Sequence, residues 1–297
     1  MLEKFKEILK KDTVLVAAVS LAIISSFWHT PQLKSIDFGV LSILLSLMLV
    51  VAGLKSIRFL DWVAVEMLNC CASKRQMELA LVGITYISSM FVTNDVALIT
   101  FVPLALVIGS TVKLDMGRTI ILQTLAANLG SMFTPPGNPQ NLFLFAHYNY
   151  TAARFFSVMA IPTALSIVLL LVLLYRGRNI ILDLQLPAMP KPDVKLTSLY
   201  LFLLFFNIGA VLHFVDKYIA LAITVICVLV VQRGLLKQVD YSLLVTFIGF
   251  FLFIGNISDS EGVKYLHKTL LGTASGTYLA AVIASQFISN VPAAMLL

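Results

Sequence analysis

Charged residues are scarce in this sequence. They make up 12% of the 297 residues, whereas 59% are hydrophobic, and the mean hydropathy is +0.95. A soluble domain carries about 25% charged residues, so this composition excludes an ordinary soluble fold. Several runs of about 15–20 apolar residues instead predict an all-α polytopic membrane protein.

The sequence also lacks the usual marks of a metal site or an enzyme. Its three cysteines, Cys70, Cys71 and Cys227, fit neither a disulfide framework nor a metal spacing, and we interpret them as small apolar side chains. It contains no His-Glu-x-x-His, no Gly-x-Ser-x-Gly, no paired intramembrane aspartates and no P-loop. An intramembrane enzyme and a primary pump are therefore disfavoured, and we expect no cofactor. A non-transporting receptor stays open.

The formal charge of +6 reflects topology rather than nucleic-acid binding. Most of the 21 Lys and Arg residues fall in connections that lie on one side if the N-terminus is inside. This bias predicts a multi-pass protein of the cell (inner) membrane with a cytoplasmic N-terminus. The expected partners are the lipid bilayer and a small-molecule or ion substrate, with no nucleic acid.

The apolar runs predict seven spans, at 14–28, 39–56, 118–146, 154–175, 197–214, 218–231 and 241–257, the third of them interrupted. The segment 77–112 turns back at Thr93-Asn94-Asp95, and 273–297 enters a similar turn at Ser289-Asn290. The stretch from Arg58 to Arg75 is typical of an amphipathic interfacial helix.

The two turns lie in similar sequences. Ser89-Met90-Phe91-Val92-Thr93-Asn94-Asp95-Val96-Ala97 matches Ser285-Gln286-Phe287-Ile288-Ser289-Asn290-Val291-Pro292-Ala293 at four of nine positions. Such duplication predicts inverted repeats with the substrate between them. We therefore divide the chain into a first repeat at 1–175, a cytoplasmic linker at 176–196 and a second repeat at 197–297, with the two tips facing each other.

The second repeat is incomplete. In the first repeat, an interrupted span and a further full span follow the turn, whereas only seven residues follow Asn290. We favour the interpretation that the chain is a fragment of a longer protein.

The turn at Thr93–Asp95 is the first candidate site. Its two arms, counted as 77–92 and 96–110, would each reach about 23 Å and fall short of a hydrocarbon core of about 30 Å. This predicts a re-entrant hairpin at 77–112 with its tip inside the membrane. The alternative is a pair of short spans joined by a turn in outside water. No other acidic residue sits so deep in an apolar run as Asp95, so we expect its carboxyl group to be desolvated and functional.

A second break lies within the predicted broken helix 118–146. Pro135, Pro136, Gly137 and Pro139 fall within five residues, a run that cannot continue a helix. We predict that Thr134–Gln140 is non-helical and lies beside the first tip, because unwound backbone at membrane depth must be buried or line a cavity. The alternative is an outside loop.

These motifs resemble the permeases of the ion transporter superfamily. The resemblance rests on Phe91–Leu98, Thr134–Asn141 and Ser285–Pro292 in this order, and favours the citrate-transporter-like and arsenite-permease/NhaD-type branch, with the sodium-coupled dicarboxylate symporters as more distant relatives. It implies a hairpin transport domain that moves elevator-fashion against a scaffold, usually in a homodimer. It also implies binding of substrate and coupling ion at Ser89, Thr93, Asn94, Asp95, Asn128, Gly130, Thr134, Pro135, Gly137, Asn138, Gln140, Asn141, Ser285, Ser289 and Asn290.

The coupling ion is open between H⁺ and Na⁺. The resemblance places sodium at Thr93, Asn94 and Asp95. Two departures from the symporters keep proton coupling through Asp95 open as well, since Asp95 adds an acid and Val291 removes a hydroxyl group. The leading hypothesis is a secondary-active transporter of a small anion or oxyanion, and the alternative is a Na⁺/H⁺ antiporter.

Overall fold

The structure, a computed structural model, confirms the all-α membrane-protein architecture. It describes residues 12–31, 33–182, 186–258, 260–261, 271–287 and 290–296. These residues contain no strand beyond an isolated pair of extended residues, Ser73 and Ile181.

The helices follow one another along the chain with short connections. They are α1 (Thr13–Ser26), α2 (Phe38–Ser56), α3 (Phe59–Asn69), α4 (Lys74–Val92), α5 (Asn94–Val112), α6 (Gly117–Ser131), α7 (Pro139–His147), α8 (Ala152–Tyr175), α9 (Val194–Val211), α10 (Lys217–Gln232), α11 (Tyr241–Ile257), α12 (Ala274–Phe287) and α13 (Asn290–Leu296). Single 3₁₀ segments occupy Leu33–Ser35, Pro135–Gly137 and Arg233–Gln238.

Five helices among the described residues are long and apolar enough to cross a membrane. These are α2, α5, α8, α9 and α10, the last extended to Gln238; α1 and α11 are apolar but shorter. Predicted and observed boundaries differ by a few residues. The predicted linker is irregular between Tyr175 and Val194, as far as it is described, and its cytoplasmic side stays a prediction.

One compact unit consists of residues 1–45 and 239–297. Helix α1 packs closely on α11 there, since a Cβ atom on Gly249 would lie about 3 Å from Ala18. The Asn256 side chain donates hydrogen bonds to Ser25 Oγ at 3.0 Å and Ser26 Oγ at 3.2 Å. Asn256 therefore joins two helices, a role that membrane-embedded amides commonly take.

The other unit, residues 46–238, holds the first hairpin and the helix break. Helices α4, α5 and α6 enclose a core that includes Leu81, Phe101 and Ile108, all fully buried. Elsewhere in this unit, the buried Asn207 donates to Leu203 O and Thr224 Oγ1, and so connects α9 to α10. These units are defined by contacts, so the division into repeats stays a prediction.

The hairpin arms are longer than predicted. Each has 19 residues, about 28 Å of helix, because α4 begins at Lys74 and α5 ends at Val112. The length argument for a re-entrant hairpin is therefore wrong for α5, which could cross a membrane by length and composition. Helix α4 begins with charged residues and its apolar part is shorter, so the depth of the tip stays a prediction.

A buried carboxylate ties the base of the hairpin to the helix after it. Glu78 of α4 is only 1% exposed. It accepts a hydrogen bond from Thr119 Oγ1 at 3.1 Å and forms ion pairs with Arg118 at 3.5 Å and Lys74 at 3.8 Å. Arg118 also donates to Leu173 O of α8. The burial of Glu78 is not evident from the sequence, because its partner Arg118 lies 40 residues away.

The linker returns to the base of the hairpin. Lys74 N donates to Ile180 O at 2.9 Å, and Leu182 N donates to Ala72 O at 3.0 Å. The Arg75 guanidinium donates to Gly177 O and lies 5.1 Å from the Tyr175 ring centroid. The chain thus leaves α8 and passes directly beside the point where α4 begins.

The cysteine interpretation holds only in part. Cys70 is exposed, whereas Cys71 and Cys227 are half-buried. Burial, together with the neighbouring Cys70, raises the pKa of the Cys71 thiol, which keeps it protonated at neutral pH. Cys70 is not an apolar filler.

We expect Arg118→Met to lower the free energy of unfolding by about 3 kcal/mol, because it leaves the buried Glu78 carboxylate with Lys74, at 3.8 Å, as its charged partner among the described residues. The double variant Glu78→Leu/Arg118→Met should be more stable than the single variant. Unfolding in mixed micelles measures both, and equal destabilisation would contradict the ion-pair account.

Candidate substrate- and ion-binding site

The hairpin tip contains a strained residue. Thr93 separates α4 from α5 with φ 75° and ψ 154°, a region occupied almost only by glycine. A β-branched residue there is an outlier, and such strain collects at functional sites. Thr93 also occupies the N-cap position of α5 but makes no capping hydrogen bond with its side chain.

Asparagine amides connect the tip to the broken helix. Asn94 Nδ2 donates to Asn128 Oδ1 at 3.4 Å, and Asn128 Nδ2 donates to Thr124 O at 2.9 Å within α6. Asn128 and Thr124 are exposed, and Asn94 is half-buried. The two amides therefore stand on an accessible face at the start of α5.

Asp95 lies in the first turn of α5 and is exposed. We expected the Asp95 carboxyl group to be desolvated, but the described residues of this unit leave it exposed. The acidic residue that they bury is Glu78. Because Thr93 holds the N-cap position, Asp95 is not the N-cap residue. Its first-turn position favours a negative charge through the helix dipole.

The predicted break is present, and its boundaries need correction. Helix α6 ends at Ser131, residues 135–137 form one 3₁₀ turn, and α7 begins at Pro139. Pro139 and Gln140 are therefore helical, contrary to prediction, because proline fits the first helical position. The interruption spans residues 132–138.

Asn141 holds the interruption together. Its Nδ2 atom lies within hydrogen-bond distance of Ser131 O at 3.2 Å, Met132 O at 2.9 Å and Thr134 O at 3.1 Å. The Asn138 side chain caps α7 by accepting from Asn141 N at 2.9 Å, and also donates to Ser131 Oγ at 3.3 Å. The two asparagines thus satisfy backbone groups that the break releases.

The interruption packs against the first arm, as predicted. Thr134 Oγ1 donates to Met90 O in the last turn of α4. Gly130 allows this approach, since a Cβ atom there would lie 2.2 Å from Tyr86 O and 2.6 Å from Ser89 Oγ. A Cβ atom on Gly137 would lie 2.1 Å from Ser131 O. Both glycines are required by close backbone contact.

The predicted site residues of this unit fall into two groups. The buried group supports the break and the arm, and consists of Ser89, Gly130, Thr134, Pro135, Gly137, Asn138 and Asn141. The accessible or half-buried group consists of Thr93, Asn94, Asp95, Asn128 and Gln140. Only this second group can contact a ligand without rearrangement.

Gln123 belongs to the support as well. It is fully buried, and its Nε2 atom donates to Thr85 Oγ1 and to Phe101 O, both at 3.2 Å. One side chain of α6 thus connects both arms of the hairpin. These contacts favour a role in packing rather than in lining a transport path.

The predicted residues of the second turn are described only in part. Ser285 lies in α12 and donates to Val282 O at 2.9 Å, and Asn290 is exposed at the start of α13. Ser289 lies outside the described residues. The facing of the two tips therefore stays a prediction.

Comparison with known proteins decides the family. A family model described as citrate transporter matches residues 2–297. The chain belongs to the citrate transporter family.

Individual relatives of this citrate transporter family member agree. The inner membrane protein YbiR of Escherichia coli is 28% identical over 96% of this chain and 77% of its own length. An uncharacterized transporter of Methanocaldococcus jannaschii is 31% identical over 84% of this chain and 68% of its own length. A Synechocystis transporter is 24% identical over 94% of this chain and 66% of its own length. The chain is therefore a multi-pass membrane transporter.

We expect Gly130→Ala to destabilise the protein by about 1–3 kcal/mol, since the added methyl group collides with the backbone of α4. The matched control is Gly83→Ala in α4, where a Cβ atom would meet nothing within 4 Å; it should gain about 0.5–1 kcal/mol. Thermal unfolding in detergent compares the two, and equal effects would exclude the close-packing role.

Thr93→Gly should be more stable than Thr93→Ala by about 1 kcal/mol, because glycine adopts the positive φ without strain while both changes remove the hydroxyl group. Thermal unfolding of the two variants measures the difference. A more stable alanine variant would show that the tip relaxes to another backbone conformation.

Proposed function

We propose that this transporter moves a small anion, such as a carboxylate or an oxyanion, coupled to protons or sodium. One observation carries the proposal. The Asn94 and Asn128 amides, which are bonded to each other, lie at the start of α5 together with the exposed carboxyl group of Asp95. The description of the family as citrate transporters supports an anionic substrate.

The side chains at the tip suit an anion only when the Asp95 carboxylate is neutralised. No Lys or Arg occurs in 88–95 or 128–141, so an anion would be held by the Asn94 and Asn128 amides and by the partial positive charge at the start of α5. The Asp95 carboxylate, in the first turn of the same helix, would repel an anion bound there. Binding is therefore favoured when Asp95 carries a proton or a sodium ion.

This condition supplies a coupling mechanism. A coupling cation that neutralises Asp95 raises the affinity for the anion, and by linkage the anion raises the affinity for the cation. Both then cross together. An elevator movement of the hairpin and broken helix fits the compact packing of α4, α5 and α6, which would let them move as one body.

A Na⁺/H⁺ antiporter is the second candidate. Asp95 is exposed and has no basic residue close to it in sequence. These two properties favour an antiporter, because the same carboxylate could bind the two cations alternately. The homodimer, the cytoplasmic N-terminus and the elevator movement remain part of the proposal.

Asp95→Asn tests the coupling role. In proteoliposomes we expect wild-type uptake of citrate or an oxyanion to respond to a pH gradient or to a sodium gradient, and uptake by the variant to fall to that of liposomes without protein. Proton coupling predicts a response to the pH gradient without sodium, whereas sodium coupling predicts none until sodium is added.

The control is Asp115→Asn, which changes an exposed aspartate in the connection between α5 and α6. It should leave coupled uptake unchanged. Wild-type rates in correctly inserted Asp95→Asn would contradict the coupling role. Sodium-driven proton movement without any anion would favour the antiporter.

A further inference from the structure

In the unit formed by residues 46–238, an apolar cleft opens between α2, α3, α4 and α9. Its volume is about 320 Å³. The lining includes Phe59, Val63 and Met67 of α3, Ile87 of α4 and Phe205 of α9, and Ser88 is the only polar side chain among the described residues that line it. Ile87 and Phe205 are 59% and 64% exposed, so the cleft is open at its side.

The helices that line the cleft indicate what fills it. Helices α2 and α9 are among those long and apolar enough to span a membrane, and hydrocarbon surrounds such helices in a bilayer. Water in an apolar cleft would lack partners. Pockets of about 300–1,000 Å³ hold single small molecules, so a stretch of acyl chain fits, whereas a helix of a second polypeptide does not.

One end of the cleft carries positive charge. Lys55 follows the lining residue Leu54, and Arg58 precedes the lining residue Phe59; both are exposed. Arg58 pairs with Asp61 at 3.3 Å, but a guanidinium has five N–H donors, so one such pair leaves donors for a phosphate.

The same end gains a third cation from the residue that follows α10. Ser56 Oγ and Tyr200 OH both donate to Gln232 Oε1, at 3.2 and 3.1 Å. These bonds hold the end of α10 beside the end of α2, and the next residue, Arg233, is exposed. Basic groups at the end of an intramembrane cleft match an anionic lipid headgroup.

We propose that this cleft binds an anionic phospholipid, with one acyl chain along α3 and α4 and its phosphate group at Lys55 and Arg58. The lipid would contact the first arm of the hairpin along Ile87 and Phe91. The site rests on the membrane location of the chain and not on the proposed substrate or coupling ion.

Native mass spectrometry with dioleoyl phosphatidylglycerol and dioleoyl phosphatidylcholine tests the site. Wild type should retain the anionic lipid preferentially. Lys55→Ala/Arg58→Ala should weaken phosphatidylglycerol binding by about tenfold or more and leave phosphatidylcholine binding unchanged, because each basic residue contributes to attraction of an anionic lipid.

Val63→Trp fills the cleft and should reduce retention of both lipids. Its control is Leu165→Trp on the exposed face of α8, where Leu165 is 65% exposed, and this change should have no effect. Equal retention of both lipids by wild type, or unchanged phosphatidylglycerol binding in the double alanine variant, would overturn the proposal. So would a change of oligomeric state in place of lipid loss in Val63→Trp.

Discussion

Hydrogen bonding of released backbone groups is the constraint on which the site depends. A helix interrupted inside a membrane protein must find new partners for the carbonyl groups at its broken end. Here the Asn141 amide approaches three of them, and Asn138 restarts the helix by capping α7. Thr134 then attaches the interruption to the carbonyl of Met90. Beside these neutral bonds, the Asn128 and Asp95 side chains are exposed and Asn94 is half-buried.

The structure separates residues that support the site from those that can contact a ligand, and sequence similarity alone treats both groups alike. Ser89, Gly130 and Asn141 are as much part of the motif as Asn94, yet they are buried and engaged. If a substitution at one of these residues abolished transport, the loss would reflect damage to the structure of the site rather than the loss of a contact with the ligand. Exposure at the tip is the better criterion for ligand contact.

Much of the fold could be predicted from local properties of the sequence. Proline fixes the position of the break, apolar runs fix the spans, and amides within them act as interhelical links, as Asn207 and Asn256 do. Properties that depend on distant residues were missed. Glu78 is buried because Arg118 and Thr119 meet it from another helix, and α4 is longer than its apolar run because the linker stabilises its first residues. The two-residue error at Pro139 and Gln140 arises because proline is compatible with a helix start.

The paired backbone of residues 72–74 and 180–182 has a topological consequence. The segment from α4 to α8 begins and ends at one place on the molecule. A segment whose ends meet can be added to, or exchanged within, a larger membrane protein while the flanking helices keep their positions, as in domain insertion. The hairpin, the broken helix and α8 thus form one continuous segment whose two ends are joined at its base.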